Sequence, residues 1–98
     1  MQIICSKNGS ELNVVLSGRL DTKTAPELEK TLEDNLPGVA ALTFDLAGLT
    51  YTSSAGLRVF LKAQKIMNRQ GSMRLISVCE DIMEIFEMTG FTDILTIE

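Results

Sequence analysis

Residues 39–58 read V-A-A-L-T-F-D-L-A-G-L-T-Y-T-S-S-A-G-L-R. The first part, Val39 to Ala47, is almost continuously apolar, the pattern expected of a central strand buried on both faces. The second part crowds the hydroxyls of Thr50, Tyr51, Thr52, Ser53 and Ser54 into the handover from that strand to a helix. That helix is expected over Leu57 to Gln70, closed by Gly71.

Working outward, Ile3 to Ser6 and Glu11 to Ser17 read as strands joined by the turn Lys7-Asn8-Gly9-Ser10. Asn8-Gly9 is a strong hairpin signal because both residues tolerate positive φ. Gly18-Arg19-Leu20-Asp21 ends the second strand. Thr22 to Leu36 follows, with Pro26 near its start and Ala25, Leu28, Leu32 and Leu36 at spacings of three and four. This is an amphipathic helix with a first-turn proline and a Pro37-Gly38 stop. Downstream, Met73 to Val78 reads as a buried strand, Glu80 to Thr89 as a short helix stopped by Gly90, and Asp93 to Glu98 as a strand or irregular tail. The order ββαβαβαβ implies an α/β fold: a mixed central sheet of four to five strands with three or more helices and right-handed crossovers.

The chain has 98 residues, 45% apolar and 22% charged, which suits one globular domain spanning 1–98. Cys5 and Cys79 match no metal or redox spacing and sit in apolar runs, so both are expected as buried free thiols in a reducing compartment. A net charge of −4 argues against non-specific nucleic-acid binding. No apolar run approaches the ~18 residues needed to span a membrane, and M-Q-I-I-C-S-K lacks the basic start and long apolar centre of a signal peptide. Cytoplasm is the expectation. There is no histidine, which removes Ser-His-Asp, Cys-His and most zinc sites. No metal, cofactor or enzymatic activity is expected.

The hydroxyl cluster has two readings. Ser and Thr can accept hydrogen bonds from the free N–H groups of a helix's first turn, worth ~1 kcal/mol for a good cap. Equally, a helix N-terminus carries partial positive charge and unpaired N–H groups that suit a phosphate. Ala55 is small, and Gly56 removes a side chain from the first turn, which would let a partner's backbone approach.

In order along the chain, Gly18-Arg19-Leu20-Asp21, a helix, Leu42 to Leu46, and Thr52-Ser53-Ser54-Ala55-Gly56-Leu57-Arg58 resemble the STAS domain of bacterial anti-sigma factor antagonists. The resemblance covers nearly the whole chain. It implies a binding module that sequesters an anti-sigma factor Ser/Thr kinase of the GHKL type. Phosphorylation of one serine at the helix N-terminus releases the pair, and a PP2C-like phosphatase resets it. Aligned on Gly56-Leu57, that serine falls on Ser54, with Ser53 as the alternate. The family's usual order is Asp-Ser-Ser/Thr-Gly-Leu, so Ser53 stands where aspartate is expected and Ala55 where the second hydroxyl is. The partner surface implied comprises Asp21, Thr52, Ser53, Ser54, Ala55, Gly56, Leu57, Arg58 and Lys62. The free protein is expected to be a monomer.

Arg58, Lys62, Lys65 and Arg69 share one stripe at ~100° per residue, either a solvated face or a docking surface for an acidic partner. Glu80, Asp81, Glu84 and Glu87 read as a solvated acidic face, and Met67, Met73, Met83 and Met88 as core or rim filler. Asp21 reads as a turn or cap residue, or as part of the partner surface. Two other functions fit the fold: a STAS subunit of a lipid-transporting ABC system without a phosphorylation switch, and a nucleotide binder using the hydroxyl loop. The second lacks the glycines and lysine of a P-loop.

Overall fold

A computed structural model describes residues 1–98. The chain forms β1 (Gln2–Asn8), β2 (Glu11–Leu20), α1 (Ala25–Asn35), β3 (Ala41–Thr52), α2 (Ser54–Gln70), β4 (Ser72–Ile76), α3 (Glu80–Met88) and a 3-10 turn over Phe91–Asp93. The sheet has four strands in the order β1-β2-β3-β4. β1 and β2 pair antiparallel, while β2–β3 and β3–β4 pair parallel. The expected mixed α/β sheet is therefore present.

The chain order also decides where the helices go. β2, β3 and β4 advance in one direction across the sheet, and right-handed crossovers then place α1 and α2 on the same face. Register rows such as Leu12–Leu42–Met73 and Val14–Phe44–Leu75 point into that face and are buried. Phe60 of α2 stands edge-on to Phe44 of β3 at 5.2 Å and to Phe86 of α3 at 6.0 Å, joining three elements through one ring. The opposite face stays open, with Asn13 and Val15 exposed. β3 is thus fully covered on one face only, contrary to the two-sided burial its apolar run suggests. On its outer face, Thr43 lies under Arg74, whose Nε donates to Thr43 Oγ1 at 3.1 Å.

Several boundaries differ from the expectation. In the hairpin, Asn8 and Glu11 are paired, so Gly9 and Ser10 form the turn. Only Gly9 takes positive φ, +62°, which shifts the turn one residue downstream of the Asn-Gly signal. β3 runs on past Ala47 to Thr52, absorbing Thr50 and Tyr51 into the strand, with register shifts against β2 on either side of Ser17 and Gly18. α2 starts at Ser54 rather than Leu57. The last strand shrinks to one bridge, Leu75 to Ile97, flanked by hydrogen bonds from Leu75 N to Thr96 O and Glu98 N to Leu75 O, both 2.9 Å.

Both cysteines are exposed, not buried. Cys5 pairs with Val14 in register and so shares the inward face, but β1 is the edge strand and packs chiefly against β2. Partial desolvation still raises its thiol pKa above the ordinary value. Cys79 is the N-cap residue of α3, outside the sheet.

Candidate functional site

The site forms where β2 and β3 end side by side. Leu20 pairs with Thr52, and Ser53 N donates to Leu20 O at 2.8 Å. Asp21 and Ser53 therefore leave the sheet as neighbours, one entering α1 and the other α2.

Asp21 organises its own turn. Its Oδ1 accepts from Lys23 N at 3.0 Å and Thr24 N at 3.1 Å, while Thr24 Oγ1 accepts from Asp21 N at 2.9 Å. Asp21 O also accepts from Ala25 N at 2.8 Å. This reciprocal capping explains why Thr22 to Thr24 form a turn ahead of the regular helix. The bonds from Lys23 N and Thr24 N, aided by the Arg19 charge, hold the Asp21 carboxyl below the usual carboxylate pKa. The turn role is met, and Asp21 remains half-buried beside the start of α2.

The hydroxyls are placed very differently from one another. Thr50 Oγ1 donates to Gly18 O at 3.0 Å. Tyr51 lies under the Arg19 guanidinium, 4.2 Å from ring centre to Cζ. Thr52 is 3% exposed and donates to Ser53 O. Ser53 is the N-cap residue in extended backbone, yet its side chain makes no capping bond. Its Oγ is buried without a partner. Ser54 is exposed at the first helical position. Capping therefore does not account for the cluster. The first turn of α2 has neither a side-chain cap nor an acidic residue, so its N–H groups stay available.

Of the other residues expected on the partner surface, Gly56 and Leu57 face inward. A Cβ on Gly56 would meet Thr52 Oγ1 at 2.4 Å and Leu20 Cγ at 2.6 Å. The glycine lets α2 sit on the sheet rather than opening a path for a partner's backbone. Thr52 and Leu57 likewise belong to the packed interior. The outward set is Ser54, Arg58 and Lys62, with Ala55 and Asp21 half-exposed.

Arg58 and Lys62 line an open cleft of about 480 Å³ between α1 and α2, opposite Thr22, Pro26 and Glu29. Lys62 is not a free cation. It binds Glu29 at 2.6 Å and Glu33 at 3.5 Å across the helix pair, and the Glu29 bond and charge raise its pKa above the ordinary lysine value. Arg58, Lys65 and Arg69 have no carboxylate within ion-pair distance, so the basic stripe reduces to three free cations. Thr22 and Pro26 were not foreseen as rim residues. Thr22 directly follows Asp21 and Pro26 opens α1, and closeness to Asp21 is the only sequence signal that marks them.

No helix is long and apolar enough to cross a membrane. No group of three or more His, Cys, Asp or Glu side chains comes together as a metal site. The acidic side chains of α3, Glu80, Asp81, Glu84 and Glu87, are exposed. Met67 and Met73 are buried, Met83 is half-buried, and Met88 is 79% exposed.

The chain is 32% identical over 92 residues to the anti-sigma-B factor antagonist of Bacillus subtilis, covering 93% of this chain and 84% of that protein. Its fold superimposes with a TM-score of 0.88 on an anti-sigma factor antagonist from Mycobacterium paratuberculosis, at 18% identity, covering 98% of this chain and 83% of that one. It also matches phosphorylated SpoIIAA, a Bacillus cell fate determinant, with a TM-score of 0.78 at 13% identity, covering 99% of this chain and 91% of that one. The STAS domain family matches residues 2–98, and the chain belongs to that family.

Proposed function

We propose that this protein is an anti-sigma factor antagonist whose binding is switched by phosphorylation of Ser54. The observation that carries the proposal is the contrast between adjacent serines: Ser54 is exposed at an uncapped helix start, while Ser53 Oγ is buried. A kinase can reach the first without disturbing the fold. The sequence relatives that carry the antagonist name support the same reading.

The physical consequence is local. A phosphate adds about −1.5 to −2 charges and three acceptor oxygens. The dipole and free N–H groups at the start of α2 favour an anion, so the helix remains folded. What changes is the surface, because a neutral contact patch becomes anionic and strongly hydrated. A partner that must desolvate it loses affinity, and ~3 kcal/mol is more than a hundredfold. The partner is an anti-sigma factor with Ser/Thr kinase activity of the GHKL type, and a PP2C-like phosphatase restores the bare serine. Arg58, one turn along α2, partly offsets the new charge.

The test is incubation with the cognate kinase, ATP and magnesium, followed by mass spectrometry. One phosphate on Ser54 is expected. Ser54→Ala should bind the kinase constitutively and Ser54→Asp should bind poorly. Loss of binding in a folded Ser54→Ala protein would make the serine a contact residue and end the switch. Recovery of a transporter ATPase instead of a kinase from cell extract would also overturn the proposal.

A further inference from the structure

The two edges of the sheet are treated differently. β4 is covered at Leu75, where the chain returns beside it through the Leu75–Thr96 and Glu98–Leu75 hydrogen bonds. β1 is open. Its pairing with β2 runs without a shift from Gln2↔Ser17 to Asn8↔Glu11. It contains no proline, no bulge and a single charged residue, Lys7, so it lacks most of the devices that protect an edge from pairing.

The direction of its free backbone groups follows from the hairpin. Asn8 and Glu11 flank a two-residue turn and form a hydrogen-bonded pair. Bonding alternates along an antiparallel ladder, so Gln2, Ile4, Ser6 and Asn8 turn their N–H and C=O groups toward β2. The neighbouring ladder agrees, since Ser10 O faces the other way and accepts from Ala40 N and Ala41 N. The groups of Ile3, Cys5 and Lys7 therefore point to the free edge, spaced symmetrically about Cys5.

We propose that β1 is a self-association edge, at which a second copy of this chain pairs antiparallel about a two-fold axis at Cys5. In that register Cys5 faces its counterpart and Ile3 faces Lys7 of the other copy. Each of these residues both donates and accepts, so the free groups of one edge match those of the other. The two Lys7 positions lie four residues apart along the ladder, about 14 Å at ~3.4 Å per residue, so their side chains do not oppose each other. On the open face, Ile4, 55% exposed, comes beside Ser6 of the other copy and loses water contact.

A strand-to-strand contact is small, which assigns it to the weak, concentration-dependent class. Because the copies run antiparallel, their Ser54 ends lie at opposite ends of the joined sheet. Both stay free, so the dimer presents two partner sites. This proposal is independent of what Ser54 does.

Sedimentation equilibrium from about 10 μM to about 1 mM, the range in which weak contacts populate, should show monomer passing to dimer. Cys5→Pro removes an outward N–H and no β1–β2 hydrogen bond, so the folded variant should stay monomeric. Cys5→Lys, which places two cations opposite each other, should do the same and serves if the proline variant unfolds. In a Cys79→Ser background, a short bis-maleimide should join Cys5 to Cys5 at high concentration. A parent that stays monomeric throughout, a folded Cys5→Pro or Cys5→Lys protein that still dimerises, or a dimer that the Cys5 reagent fails to link would each overturn the proposal.

Discussion

Replacing Gly56 with alanine tests how α2 is seated, and with it the placement of Ser54. The added Cβ would lie 2.4 Å from Thr52 Oγ1, 2.6 Å from Leu20 Cγ and 2.8 Å from Leu20 Cδ2. Neither neighbour can easily yield, since Leu20 is 0% and Thr52 3% exposed. Overpacking of this kind costs about 1–3 kcal/mol. Alanine's helix propensity returns at most ~1 kcal/mol, and less in the first turn than in a helix interior. A net loss of about 1–2 kcal/mol follows, which for a domain of this size lowers Tm by about 5–15 °C. Thermal and urea melts followed by circular dichroism measure it directly. An unchanged or raised Tm would refute the inward packing of Gly56. Intact stability with lost kinase binding would return the residue to the partner-facing role that its small size suggests.

Three further outcomes follow from the same geometry. Ser53→Ala should cost less than about 0.5 kcal/mol, against ~1 kcal/mol for an ordinary N-cap, because the lost hydroxyl is buried without a partner; a urea-melt loss of 1 kcal/mol or more would mean the Oγ does cap the helix. The depressed Asp21 pKa means the unfolded chain binds its proton first as pH falls, so the stabilisation is complete above the ordinary value of ~3.9 and lost as pH drops through the lower folded value. Asp21→Asn should lack that increment, and melts of the two proteins should converge in acid; parallel profiles would contradict the assignment. Lys62→Gln should loosen the α1–α2 pair slightly at low salt, with the difference in Tm shrinking as added salt screens the half-exposed contacts to Glu29 and Glu33. A salt-independent difference would point to packing of the lysine stem instead.

Periodicity and punctuation make much of this protein legible in its sequence. The spacing of Leu28 and Leu32 set α1, the run from Leu42 to Leu46 set the central strand, and Gly71 set the end of α2. These are local signals, read within a few residues. The hairpin was visible too, although the strand pairing rather than the Asn-Gly dipeptide chose the turn's frame. The cysteines are exposed against expectation because an apolar neighbourhood in sequence does not reveal that β1 lies at the sheet's edge or that Cys79 caps α3.

Local sequence signals are enough for the order of elements as far as α3, the lack of histidine chemistry and the place where hydroxyls gather between β3 and α2. Which of those hydroxyls a partner can touch depends on long-range packing. Thr52 and Gly56 turn inward because α2 packs against Leu20 on β2, over thirty residues away, and Lys62 is tied down by carboxylates of α1. Side-chain direction at a strand end depends on register, bulges and the seat of the next helix, all set by contacts between distant segments. A local pattern can mark where such a site lies, but not which of its atoms face water.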